Sequence, residues 1–221
     1  IVSTKTTIQI RFVESFVDST KSEMPPTEDL FDFTPNVKGK TQWIDDRTIE
    51  FVPDEQLPFD QVYTTRFKLD QLFPIEEDKL KTFEFGFRTI PLYFEVENYG
   101  ISYTGSGPSA ELSVQGRVVC SDVVDSTRIA KVLAASQNGN ELPIKWVHDK
   151  EGKDHRFVIG NIGRTNESQS VKLAYSGTEF HVDISGEDVI SIPALNKFSY
   201  LSHRIVQVPD QFVLISFSDP L

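Results

Sequence analysis

Four histidines, one cysteine, two adjacent aspartates and a scatter of serines are the side chains with which this chain could do chemistry. His148, His155, His181 and His203 lack close metal-ligand spacing. The nearest pair stands seven apart, which strand alternation places on opposite faces of a continuous strand. A turn at Gly152 interrupts that strand, so His148 and His155 are expected as solvent-facing residues of a hairpin. The sharper alternative is a zinc ion held by His148, Asp149 and His155. Cys120 has no cysteine to pair with and lies in the apolar-rich run Arg117 to Val124, so it reads as a packed, inert thiol.

Asp45 and Asp46 would make a carboxylate pair only if they converged on one substrate, whereas adjacent strand residues diverge; the Trp-x-Asp-Asp-Arg context reads as a turn. The serines include no Gly-x-Ser-x-Gly elbow, and none has an identifiable base to activate it. Gly105-Ser106-Gly107 lacks the strand-to-helix setting of a phosphate loop and reads as part of a Gly- and Ser-rich loop, Tyr103 to Ser109. No residue is therefore assigned a catalytic, cofactor-binding or metal-binding role, no cofactor is implied, and the chain is expected not to be an enzyme.

The elements that carry these residues follow from composition and pattern. A net charge of −11 with scattered Lys and Arg argues against a nucleic-acid partner, since phosphate binding needs clustered cations. The 17 Phe beside one Met, in a chain 38% hydrophobic and 25% charged, point to a soluble protein with aromatic, sheet-type cores. No run reaches the roughly 18 apolar residues of a membrane span. The first residues, Ile1-Val2-Ser3, and the last, Phe217 to Leu221, read as cuts within a longer protein, with any signal peptide or lipid anchor outside.

Period-two alternation predicts strands at Thr7 to Val13, Thr41 to Ile44, Thr48 to Val52, Val62 to Leu69 and Phe83 to Thr89, the last with Phe83, Phe85 and Phe87 on one face. Glu28 to Phe33 and Glu76 to Lys81 are short helical candidates. After Pro91 the pattern restarts: Leu92 to Val96, Glu111 to Ser121, Ile129 to Ala135, Ile144 to His148, Arg156 to Ile159, Ser170 to Tyr175, Glu179 to Ile184 and Asp188 to Ile192. Phe198 to Val208 then leads into Gln211 to Ser218. Short strands separated by turn signals indicate a sandwich.

The two halves repeat. Gln9-Ile-Arg-Phe-Val-Glu-Ser15 matches Gln115-Gly-Arg-Val-Val-Cys-Ser121, and Gln42-Trp-Ile-Asp-Asp46 matches Lys145-Trp-Val-His-Asp149. The tryptophans, Trp43 and Trp146, stand 103 positions apart, a domain-sized interval. Each precedes a strand with Phe-Val, Phe51-Val52 and Phe157-Val158, and reads as a buried anchor between sheets. Val213 to Asp219 resembles the opening strand of both copies. The expected fold is thus all-β, two tandem immunoglobulin-like β-sandwich domains at 1–91 and 92–208, with 209–221 the first strand of a truncated third.

Leu30-Phe-Asp-Phe-Thr-Pro35, Val37 to Lys40, Asp46 to Pro53, Phe83 to Thr89, Val114 to Asp122 and Ile215 to Leu221, taken in order, resemble the N-terminal macroglobulin-type domains of bacterial, Bacteroidetes-type alpha-2-macroglobulins. That resemblance implies a multi-domain endopeptidase inhibitor that traps a proteinase after a bait segment is cut. Its partners would be the other domains of the parent chain and, through the whole protein, proteinases. It also implies secretion across the inner membrane to the periplasm or cell envelope, as a lipoprotein where an anchor lies upstream. The family's thioester motif, Cys-x-Glu-Gln, is absent: Cys120 is followed by Ser121-Asp122-Val123. No bait segment is recognisable, so the region would be non-catalytic scaffold. The Asp18-Ser19-Thr20 and Asp125-Ser126-Thr127 triplets resemble a short Bacteroidetes O-glycosylation motif with Ser19 or Ser126 as acceptor, or else mark a turn after the first strand of each copy. The competing function is an adhesin or polysaccharide-binding surface module, which would expose aromatic residues along one face.

Overall fold

A computed structural model describes residues 1–15, 27–104, 111–195, 197–207 and 209–219. The fold is all-β, with small antiparallel sheets, and its contacts divide the chain into Ile1–Pro91 and Leu92–Leu221. Asp18 to Thr20 and Gly105 to Gly107 lie outside the described residues. No helix among those described is long and apolar enough to cross a membrane.

The first unit holds β1 (Ile8–Arg11), β2 (Phe31–Thr34), β3 (Gly39–Trp43), β4 (Thr48–Pro53), β5 (Val62–Lys68) and β6 (Thr82–Arg88). They form two three-stranded sheets, β1-β4-β3 and β2-β5-β6. The alternation in β5 shows why a strand forms here: Tyr63, Thr65 and Phe67 are buried while Val62, Thr64 and Arg66 face out. Leu30, Ile49 and Phe67 make one fully buried cluster, with Phe12, Phe31, Trp43 and Phe85 against it. Ile8, Phe33 and Phe51 make another. Both clusters draw side chains from both sheets, so the sheets share a core. Each large aromatic so buried contributes on the order of 2–3 kcal/mol by removal from water.

The second unit holds β7 (Phe94–Thr104), β8 (Glu111–Cys120), β9 (Leu133–Gln137), β10 (Asn140–Glu141), β11 (Ile144–His148), β12 (Asp154–Ile159), β13 (Gln169–Ser176), β14 (Ser185–Ile192), β15 (Tyr200–Val206) and β16 (Phe212–Phe217). Its sheets run β11-β12-β8-β7, β10-β9-β13-β14 and β15-β16. With β7, β10 and the last hairpin set aside, the order matches that of the first unit strand for strand. The strand carrying tryptophan pairs with its successor, that successor pairs with the opening strand, and the remaining three strands form the other sheet. Register extends the match: Trp43 stands opposite Ile49 and Ile49 opposite Ile10, while Trp146 stands opposite Phe157 and Phe157 opposite Gly116. Ile10 and Gly116 are the residues that follow Gln9 and Gln115.

Several expectations are corrected. Phe157 matches Ile49 and not Phe51, because the β11–β12 turn is longer than the β3–β4 turn and shifts the Phe-Val pairs out of step. The helical reading of Glu28 to Phe33 fails: Phe31 and Phe33 alternate with exposed Asp32 in β2, and Asp29 takes a left-handed φ of 56°. The predicted strand Glu179 to Ile184 is a single 3-10 turn, Thr178–Phe180, ended by His181 at φ 58°. Phe83, Phe85 and Phe87 do share one face of β6, with the Phe83 ring stacked on Phe85 at 5.8 Å and itself 51% exposed. Ile129 to Ala135 divides into one helical turn, Ser126–Ile129, and β9. β7 runs on through Thr104 into the expected loop, and β10 follows a tight turn in which Asn138 and Gly139 both have positive φ.

Candidate functional site

The densest group of titratable side chains lies at the β11–β12 turn. His148 ends β11, Asp149 to Lys153 make the turn, and Asp154 opens β12, so His148 and His155 become directly opposed cross-strand partners. Their Nδ1 atoms lie 2.9 Å apart. The hairpin expected around Gly152 thus brings the two rings to one face. His148 is exposed and lies 5.9 Å from the Trp146 ring, nearly parallel to it. His155 is fully buried, which corrects the expectation that both would face solvent. An Nδ1–Nδ1 hydrogen bond requires one ring to donate and the other to accept. Among the described residues His155 Nε2 is buried with no hydrogen-bond partner within range.

Burial holds the His155 pKa below the ordinary imidazole value, and the neighbouring His148 acts in the same direction. Asp149, the Gly152 carbonyl and Asp154 oppose this. Asp149 is occupied in the turn itself, where it accepts the Lys153 N–H at 2.9 Å. Among the described residues no three His, Cys, Asp or Glu side chains are grouped to hold a metal ion, so Asp149 does not join the two imidazoles in a zinc site.

Cys120, at the end of β8, is 5% exposed, and burial pushes its thiol up to about 12, with Asp149 adding to the rise. A thiol so held is a poor nucleophile. On the other side of the β8 sheet, Arg117 donates to Glu97 at 2.8 and 2.9 Å and to Asp154 at 3.2 Å. Arg117 holds the Glu97 carboxyl below its usual range. The guanidinium is thereby spent on its own sheet.

The other candidates are structural as well. Asp45 caps the β3–β4 turn, accepting the Arg47 N–H at 2.8 Å and the Thr48 hydroxyl at 3.0 Å, while Asp46 points to the Arg47 guanidinium. Asp125 accepts the Thr127 N–H at 2.8 Å and caps the helical turn that begins at Ser126, whose side chain is exposed. Tyr200 and His203 approach to 2.5 Å on β15. Trp43 is packed against Phe12 and the Leu30–Phe67 cluster, and Trp146 meets the Phe157 ring edge-on at 5.8 Å.

One shallow cleft of about 400 Å³ opens in the second unit, between Ile101 of β7, Ile190 of β14, Pro193 and Tyr200, with Lys197 at its rim. Compared with known proteins, the chain matches no family model and no curated protein.

Proposed function

We propose that this chain is non-catalytic scaffold: tandem immunoglobulin-like, macroglobulin-type sandwich modules of a bacterial alpha-2-macroglobulin-like protein that traps proteinases in the periplasm or cell envelope. The observation that carries the modular part is the recurring strand order with Trp43 and Trp146 at matching register positions. A repeated frame with Arg117 held by Glu97 and Asp154 and its thiol packed is suited to holding neighbours in place and not to turning over a substrate. The trapping role is argued from the resemblance of Leu30 to Pro35, Asp46 to Pro53, Val114 to Asp122 and the other segments named above.

The reading as an adhesin or polysaccharide-binding module would need aromatic platforms open to sugar. Trp43 and Trp146 are half-buried and engaged by phenylalanines, so that reading would have to use the exposed rings of Tyr93, Tyr99, Phe198 and Tyr200.

The test incubates a proteinase with this chain and with the full-length parent, then follows cleavage of a large protein substrate and of a small peptide. The chain alone should block neither, and the parent should block the large substrate far more than the small one. Stoichiometric inhibition by the chain alone, or a parent that is never cut and protects nothing, would refute the proposal.

A further inference from the structure

His148 and His155 are the last opposed pair before the β11–β12 turn, and that turn is seated on the end of β8. The Cys120 N–H donates to the Lys153 carbonyl at 2.8 Å, and the Val124 N–H donates to the Gly152 carbonyl at 2.8 Å. A Cβ on Gly152 would stand 3.0 Å from Val123 Cγ1 and 3.3 Å from the Val124 carbonyl oxygen, so the turn lies closely against this segment. Lys153 Nζ lies 3.8 Å from the carboxylate of Asp122, which is fully buried. Cys120 is buried beside the turn, where Asp149 is near enough to raise its thiol pKa. Asp149 to Lys153 thus cap the end of β8.

Two neutral imidazoles suit this place, since one can donate to the other across the 2.9 Å Nδ1–Nδ1 contact. An imidazolium does not, because both of its nitrogens are donors. On His155 one N–H would face His148, and the other would find no acceptor within range of the buried Nε2 among the described residues. With both rings charged, the contact would hold two N–H groups and no lone pair. Burial opposes the His155 cation first and His148 second, while Asp149, the Gly152 backbone and Asp154 favour it. Asp154 is itself drawn to Arg117 at 3.2 Å, and Lys153 to Asp122. Lys150 and Glu151 of the turn are exposed, and the β8 residue opposite His155 is the apolar Val118. A charged His155 therefore regains hydration by leaving Val118. Because Lys153 is two residues away on the same segment, that movement draws its carbonyl from the Cys120 N–H.

We infer that the β11–β12 turn is an acid-opened flap: when His148 and His155 are both protonated, Lys153 to His155 lift from β8 and uncover Cys120, while the rest of the second unit stays folded. At neutral pH the flap is closed and the thiol is hidden. The flap does not depend on proteinase capture.

The test labels Cys120 with dithiodipyridine, which still reacts with thiols in weak acid. The rate for the folded chain is divided by that for the chain unfolded in denaturant at the same pH, which removes the pH dependence of the thiol itself. Between about pH 7.5 and about pH 5 this ratio should rise by about tenfold or more. Over the same range the β13–β14 amides should keep their hydrogen-exchange protection factors. His148→Gln, at an exposed position, offers a charged His155 a neutral acceptor in place of a like charge, so its ratio should rise several-fold less. His155→Phe, with no group to titrate, should show no rise. A ratio that stays flat in the wild-type chain overturns the inference. So does a rise equal to the wild-type one in either variant, or loss of protection at β13–β14 in step with labelling, which would make the event unfolding of the unit. If His155→Phe does not fold, the His148→Gln comparison decides.

Discussion

His148 and His155 face each other across the β11–β12 hairpin, one exposed and one fully buried, joined through their Nδ1 atoms. Protonating both rings would turn this hydrogen bond into a contact between like charges. Because burial lowers the folded pKa of His155, the unfolded chain binds the proton more readily. The contribution is fully present above the unfolded value near 6.5 and is lost as pH falls from there through the folded pKa. Thermal midpoints of the second unit should therefore drop between about pH 7 and pH 5, ahead of the carboxylate titrations. His155→Phe should flatten that step, and an equal slope in the variant would show that the pair is not its source.

Cys120 should resist modification in the folded chain. With the thiol pushed up to about 12, its thiolate fraction at pH 8 is on the order of a thousandfold below that of a free cysteine, before access is considered. Native labelling should be slow and should accelerate in denaturant. Rapid labelling of folded protein would contradict the packing around β8.

Gly116 has a steric reason to be glycine. A Cβ there would fall inside contact distance of the Glu97 carbonyl and the Phe157 ring, so the ring can lie across the backbone only if no side chain stands on β8 at that point. Gly116→Ala should cost about 1–3 kcal/mol as an overpacking change, read from the denaturant midpoint. Gly139→Ala, where the Cβ would meet nothing, should cost about 1 kcal/mol through its φ of 79° alone. Equal losses at the two positions would remove the packing argument.

Alternation made several strands legible: it runs through β5, from Val114 to Cys120 in β8 and from Gln169 to Leu173 in β13, as half-buried strands require. The misreadings have local causes. Leu30-Phe31 and Phe33 mimic helical spacing, yet each aromatic ring is held by partners from distant strands, Phe51 and Phe67, which no local window contains. Val182 and Ile184 look like strand residues, but the chain turns there because the Gly177 N–H is held by the Ile184 carbonyl at 2.7 Å and the Val182 N–H by the Gly177 carbonyl. The hairpin holding His148 and His155 was legible, but the burial of His155 was not, because the residues that cover it come from outside the hairpin, Val118 of β8 among them. The midpoint of the turn falls between Glu151 and Gly152, and counting outwards from it sets His148 opposite His155.

Arg164 fastens the last hairpin to the rest of the second unit. Its side chain is only 9% exposed and donates to the carbonyls of Pro193, Ala194 and Ser218 at 3.0, 2.8 and 2.6 Å, besides pairing with Asp219 at 3.1 Å. The Asp219 carboxyl is held low first by the Ser218 hydroxyl and then by Arg164. Replacing the guanidinium with an apolar chain of similar length strips the donor from three carbonyls and an acid at once, a loss of about 3 kcal/mol for charge-assisted bonds of this kind. Among the described residues β16 pairs only with β15, so that loss should appear as local opening and not as unfolding of the unit. In Arg164→Met the Ser218 amide, which closes the hairpin onto Ser199, should exchange much faster, and proteolysis should cut first between β14 and β16. Amides in the β13–β14 pair should keep their protection. If both regions lose protection together, the hairpin is part of the cooperative core and Arg164 is not a separate fastening.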